Sequence, residues 1–90
     1  MNEAEFKQAC LDEGYGVAEP FECEPNHSND MHTHEFSAFA MVTRGEFTIV
    51  REDGQVTHKL GEKWKVPAGT LHSERAGADG AALLVGRKSA

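Results

Sequence analysis

His32 and His34 stand one residue apart with Glu35 directly after them, and His72 follows about forty residues on, behind the corner Pro67-Ala68-Gly69-Thr70. Two imidazoles at i and i+2 share a face of an extended chain, because successive side chains of a strand alternate. Their Cα atoms are then about 6.5–7 Å apart, which lets both rings reach one ion at about 2.0–2.1 Å per Zn–N bond. Thr33 and Glu35 fall on the other face, so the adjacent carboxylate is not the next ligand. A third donor has to come from elsewhere. His72 is the strongest candidate, since it opens a strand of its own. His27 sits in a loop by composition, and His58, between Thr57 and Lys59 in a hairpin strand, reads as solvated.

The elements that must hold these residues are mostly strands. Residues 3–13 are good helix formers with a rough apolar stripe, acidic residues in the first turn, and Gly14 placed to stop the helix. After it, short strands are cut by turns. Residues 16–24 alternate imperfectly, and Pro20 marks an edge or a bulge. Residues 31–43 form an extended run ending at "TRGE", a hairpin turn around Gly45. "EFTIVR" is followed by Asp53-Gly54, a strong hairpin signal. "VTHKL", "KWKV", "LHSERA" and "AALLVG" supply the remaining strands. Turn signals every 8 to 12 residues or so point to an all-β sandwich or barrel. The expected organisation is one domain over 1–90, with a helix at 3–13 and a β-barrel at 16–86.

Composition narrows the function classes. The 90 residues carry a formal charge of −6 and no Lys/Arg cluster longer than Arg87-Lys88. Nucleic acid and anionic membranes, which need a basic footprint, are poor partners. No stretch approaches the ~20 apolar residues of a membrane span. The first residues, "MNEAEFKQAC", lack the apolar core of a signal peptide, so a cytoplasmic location is expected. Cys10 and Cys23 fit free thiols better than a disulfide.

The chain resembles the cupin superfamily through two short motifs. The second, G-x5-P-x-G-x2-H-x3-N, matches at Gly61, Pro67, Gly69 and His72, with Ala76 in place of the final Asn. The first, G-x5-H-x-H-x(3,4)-E-x6-G, matches at His32, His34 and Gly45, while Asn26 stands at the opening Gly and Ala38 where the metal-binding Glu would fall. The resemblance implies an all-β cupin-like (jelly-roll, double-stranded β-helix) barrel with one short N-terminal helix. It carries over His32, His34 and His72 as ligands of one divalent transition metal ion (Fe, Zn, Ni or Cu), without the carboxylate. Three neutral imidazoles still hold such an ion and leave positions open for water or substrate.

Alternation also fills in the pocket. Phe36, Ala38, Ala40 and Val42 follow the histidines inward, and Ala38 and Ala40 leave room for a small molecule. Trp64 and Val66 point inward as well. Glu74 shares the face of His72 and is the carboxylate with the right parity to enter the site, where it would act as a catalytic proton carrier if partly desolvated. A solvated rim position is the plainer alternative for it. Cys23 either approaches the pocket or is a small buried hydrophobe. The outward pair Phe39 and Met41 needs cover, from the helix or from a second subunit, and the resemblance favours a homodimer. The expected function is a metal-dependent enzyme on a small organic substrate, with dioxygenase chemistry favoured because some similar proteins use three histidines. A non-catalytic small-ligand binding or sensor module is the rival.

Overall fold

The computed structural model describes residues 1–89. Helix α1 spans Glu3–Asp12 and opens on a capping box: the Asn2 side chain accepts from the Glu5 backbone N–H at 2.8 Å, and the Glu5 carboxylate accepts from the Asn2 N–H at 3.1 Å. This satisfies two of the donors that a helix start leaves without partners. Gly14 terminates the helix at φ +84°, as the sequence implies. Phe6 and Cys10, one turn apart, are fully buried. They pack with Ala18 and Leu84 against Phe39 and Met41, with the Phe6 and Phe39 rings 4.8 Å apart and edge-on. The cover that Phe39 and Met41 require is therefore the chain's own helix, and this face does not call for a second subunit.

The strands are β1 (Glu19–Cys23), β2 (Phe36–Arg51), β3 (Gly54–His58), β4 (Lys63–Val66) and β5 (His72–Ser89). Two expectations need correction. Gly45 is not a hairpin turn, because β2 runs through it as one long strand. "LHSERA" and "AALLVG" are likewise two halves of the single strand β5. These long strands pair antiparallel with each other, from Phe36 opposite Ser89 to Arg51 opposite His72. The register slips between Val42 and Arg44 and again between Gly45 and Phe47, which are the bulges that bend a strand and turn it into a second layer. The two corners meet in space. Gly45 has φ +74°, and a Cβ there would lie 2.2 Å from the Gly80 carbonyl oxygen.

Either side of the corner, the long pair recruits different neighbours. The first half of β2 pairs with β4 (Ala38 opposite Val66), while the second half of β5 pairs with β1 (Glu19 opposite Val85). Beyond the corner, the second half of β2 pairs with β3. The hydrogen-bonded order is β1-β5-β2-β3, with β4 also on β2, and the ladder does not close. The expected barrel is thus an open, folded-over sheet. Val42, Phe47, Ile49, Ala76, Ala81 and Leu83 fill the space inside it.

Candidate metal centre

The histidine pair lies outside β2. Strand assignment begins at Phe36, so the expected strand over 31–43 starts five residues late. His32 is nevertheless extended, because it forms an isolated antiparallel bridge with His72. The His32 N–H donates to the His72 carbonyl at 2.8 Å, and the His72 N–H donates back at 3.0 Å. The preceding segment runs beside the start of β5 through spaced bonds. Asn26 N–H donates to Gly77 O at 2.9 Å, and Ala76 N–H donates to His27 O at 2.9 Å. Between the Ser28–Arg75 and His32–His72 bridges, this segment carries one residue more than β5 does. At that slip the Asn29 side-chain oxygen takes over from backbone and accepts the Glu74 N–H at 2.8 Å. Asn26, where the resembling motif has Gly, adopts φ +58°. Asn tolerates this left-handed region better than other non-glycine residues, so the departure keeps the backbone that the motif needs.

The corner before β5 holds two of the histidines. Thr70 N–H donates to Pro67 O at 3.1 Å, with Gly69 in the third position at φ +81°, which is the conformation a type II turn demands. Gly69 N–H donates to His34 O at 3.0 Å, tying the first histidine segment to the turn. Thr70 O in turn accepts from His72 Nδ1 at 2.9 Å, and Asp30 O accepts from His32 Nδ1 at 2.7 Å. A carbonyl can only accept, so both Nδ1 atoms carry the proton and both Nε2 lone pairs are free. That is the outer-shell arrangement by which metal-ligating histidines are oriented.

The free nitrogens converge. His32 Nε2 lies 3.2 Å from His34 Nε2, and Glu74 Oε1 lies 3.2 Å from His32 Nε2 and 3.4 Å from His72 Nε2. One ligand atom from each of His32, His34, His72 and Glu74 falls within 4.8 Å of every other. Ligands about 2.0–2.1 Å from a tetrahedral ion are about 3.3 Å apart, so the short separations match the edges of a coordination shell. The His34 pKa is pushed below its ordinary value, first by desolvation and then by His32 and His72; Glu74 opposes this and Arg87 adds to it. A neutral imidazole is the form that ligates. The donor set therefore fits a divalent transition metal ion, and among the described residues it could hold one.

The structure thus brings together the three predicted histidines and Glu74, which enters as a fourth donor. Glu35 is exposed and outside the cluster. His27 lines the cavity but is not in the donor set. His58 departs from expectation. It is half-buried, stacked on Trp64 at 4.3 Å, and burial lowers its pKa. Both cysteines are free, and Cys23 lines the cavity with its thiol pushed up by burial and then by Glu74.

The donors sit at a cavity of about 280 Å³ whose walls include Phe36, Ala38, Ala40, Trp64 and Val66, the inward set that alternation implies. Trp64 is a wall residue, stacked between His58 and Phe47. Several lining residues escaped the sequence reading, among them the polar Asn29 and Arg87 beside the apolar Phe21, Phe47, Ile49, Leu83 and Val85. Asn29 acts through a side chain at a backbone slip, for which no local pattern exists. Arg87 lies one residue past the expected end of the barrel, and the alternation Leu83-Val85-Arg87, carried further, would have found it.

No protein-family model matches the chain, and no curated protein matches it. Solved structures do. A Rhizobium leguminosarum bv. viciae protein of unknown function superposes with a TM-score of 0.77 at 19% identity, covering 82% of this chain and 70% of that one. A cupin-2 domain containing protein from Shewanella frigidimarina gives 0.66 at 20% identity, over 82% of this chain and 70% of its own. The polyketide cyclase RemF from Streptomyces resistomycificus gives 0.65 at 28% identity, over 79% of this chain and 53% of RemF. With its two-layered antiparallel sheet and the histidines on the paired segment and strand beside the cavity, the chain is a small domain of the cupin fold.

Proposed function

We propose that this chain is a mononuclear metal-dependent enzyme acting on a small organic molecule in its cavity, with dioxygenase-type oxidation as the reaction class. One observation carries the reading: the Nε2 atoms of His32, His34 and His72 and the Oε1 of Glu74 converge at the wall of an apolar cavity. When bound, the ion would supply Lewis acidity and, if iron, a site for O₂. The protein's own groups set the rest. Asp30 and Thr70 fix the tautomers of His32 and His72, and Asn29 holds the Glu74 backbone in place. Glu74 closes the donor set in place of a carboxylate at position 38. It is also the carboxylate at the cavity, with a side chain one-quarter exposed, so it is the group placed to take a proton from substrate. Phe36, Trp64 and Val66 exclude water from one side. The polyketide cyclase among the structural neighbours supports an enzymatic reading of this fold, though the fold alone does not fix a reaction.

Metal analysis of protein purified without an affinity tag is the first test. One ion per chain is expected, with loading lost in His72→Ala and kept in His58→Ala; equal losses from both would refute the assignment. O₂ consumption by the iron-loaded protein, over a panel of small thiols, diols and keto acids, is the second test. Full loading with no uptake across the panel would reject the dioxygenase and leave a metal-bearing binding module.

A further inference from the structure

We propose that Arg87, together with the space over Ala38, forms an anion subsite beside the metal centre, so that the molecule bound there is a small carboxylate with an apolar body. The inference rests on the metal-centre reading and adds a substrate class to it.

Ala38 and Arg87 face one another directly across the β2–β5 ladder. Opposite residues of an antiparallel pair project to the same side of the sheet, and both side chains line the cavity. Position 38 is where the resembling motif carries a carboxylate. Here a methyl group stands in that place, and the guanidinium across from it meets no Asp or Glu within 4.0 Å among the described residues; Glu74, in the same cavity, is engaged by His32 and His72, and the other paired carboxylates are Glu13 and Glu22. A cation thus stands at the cavity across from a methyl group rather than a carboxylate.

Arg87 is exposed, and its side chain has an aromatic neighbour. The guanidinium carbon lies 5.2 Å from the centre of the Phe36 ring, and the same ring stacks on His34, with centroids 4.7 Å apart and planes 25° from parallel. Phe36 thus contacts both Arg87 and His34, linking the guanidinium to one of the clustered histidines. A guanidinium beside an aromatic ring still offers its N–H fork to a planar, bidentate acceptor, and a carboxylate is the matching shape. Charge points the same way: a divalent ion with Glu74 leaves one positive charge, and Arg87 adds another. The lining between them is Phe36, Ala38, Val85 and Trp64, which suits an apolar or aromatic body better than a sugar.

Zinc content per chain is measured first, and the zinc-loaded protein is then titrated calorimetrically with benzoate and with its neutral isostere benzamide. Benzoate is expected to bind at least tenfold more tightly than benzamide. Arg87→Gln should weaken benzoate at least tenfold without changing benzamide binding or zinc content, and Arg87→Lys should recover part of the loss. Ala38→Glu should pair with Arg87 and abolish benzoate binding with zinc still present. Failure of benzoate to bind, equal binding in Arg87→Gln, or benzamide as tight as benzoate would each overturn the subsite. A wild-type chain that does not load zinc counts against the metal centre instead. The Arg87 comparison is then made on metal-free protein, where its own contrast between benzoate and benzamide still decides it.

Discussion

His58 lies flat against Trp64, and Trp64 against Phe47, so a titratable ring is built into the end of an aromatic stack. Burial holds its pKa below the ordinary 6.5; Arg51 adds to the shift and Glu62 opposes it. The sign of the linkage follows. Between the depressed folded value and 6.5 the unfolded chain binds more protons, so stability falls as pH drops through that window and is unaffected above it. His58→Phe keeps the stack and removes the proton site. Urea midpoints of metal-free protein at pH 7 and pH 5 should fall less in this variant than in wild type, and equal falls would show that the ring titrates as it does in water. No local pattern hints at this stack, because Thr57 and Lys59 beside His58 look like a solvated strand. The three clustered histidines are more legible, since alternation and a Pro-Gly turn are local patterns. Glu74 had the right parity, but how near its carboxylate comes to the histidines depends on distances that parity cannot supply.

At the scale of elements, the corner where β2 meets β5 decides whether the fold has one layer or two. A hairpin and a corner both need positive φ at Gly45, and the residues flanking it look alike in either case. Only the pairing of β2 with a strand thirty or more residues away distinguishes them, and no window of sequence contains that. The helix, by contrast, was readable to within a residue, because caps and the stop at Gly14 are local. The corner makes a sharp prediction. Gly45→Ala forces a left-handed alanine and drives its methyl group into the Gly80 carbonyl oxygen. Gly16 has a similar φ of +73° but nothing within 4 Å of the added carbon, so Gly16→Ala isolates the backbone cost, about 1–2 kcal/mol. Gly45→Ala should lose a further 1–3 kcal/mol or so from the overlap, read as a lower denaturant midpoint. Equal losses in the two variants would mean that the corner yields freely.

For the whole molecule, a chain of this size buries only a modest share of its surface, and its apolar contacts are divided between two clusters, one under the helix and one inside the fold. The segment before β2 belongs to neither. It is held to β5 by a few spaced hydrogen bonds and one asparagine side chain, yet it delivers two of the four donors. An ion bound to His32, His34, His72 and Glu74 would tie this segment to β5 in the folded state alone, since the unfolded chain does not assemble the donor set. Metal binding should therefore appear as folding stability. At a free zinc concentration one hundred times its dissociation constant the gain is about 2.7 kcal/mol. For a domain of this length that raises the melting temperature by roughly 10–20 °C. Differential scanning calorimetry with zinc and then with a chelator should show the rise and its reversal. His72→Ala should abolish the shift, because a buried imidazole oriented by the Thr70 carbonyl is lost while the backbone bridge to His32 remains. Glu74→Gln should keep a smaller one, since an amide oxygen still donates but carries no charge. A full shift in His72→Ala would place the zinc elsewhere on the chain, and no shift in wild type would mean that the four donors converge without binding the ion.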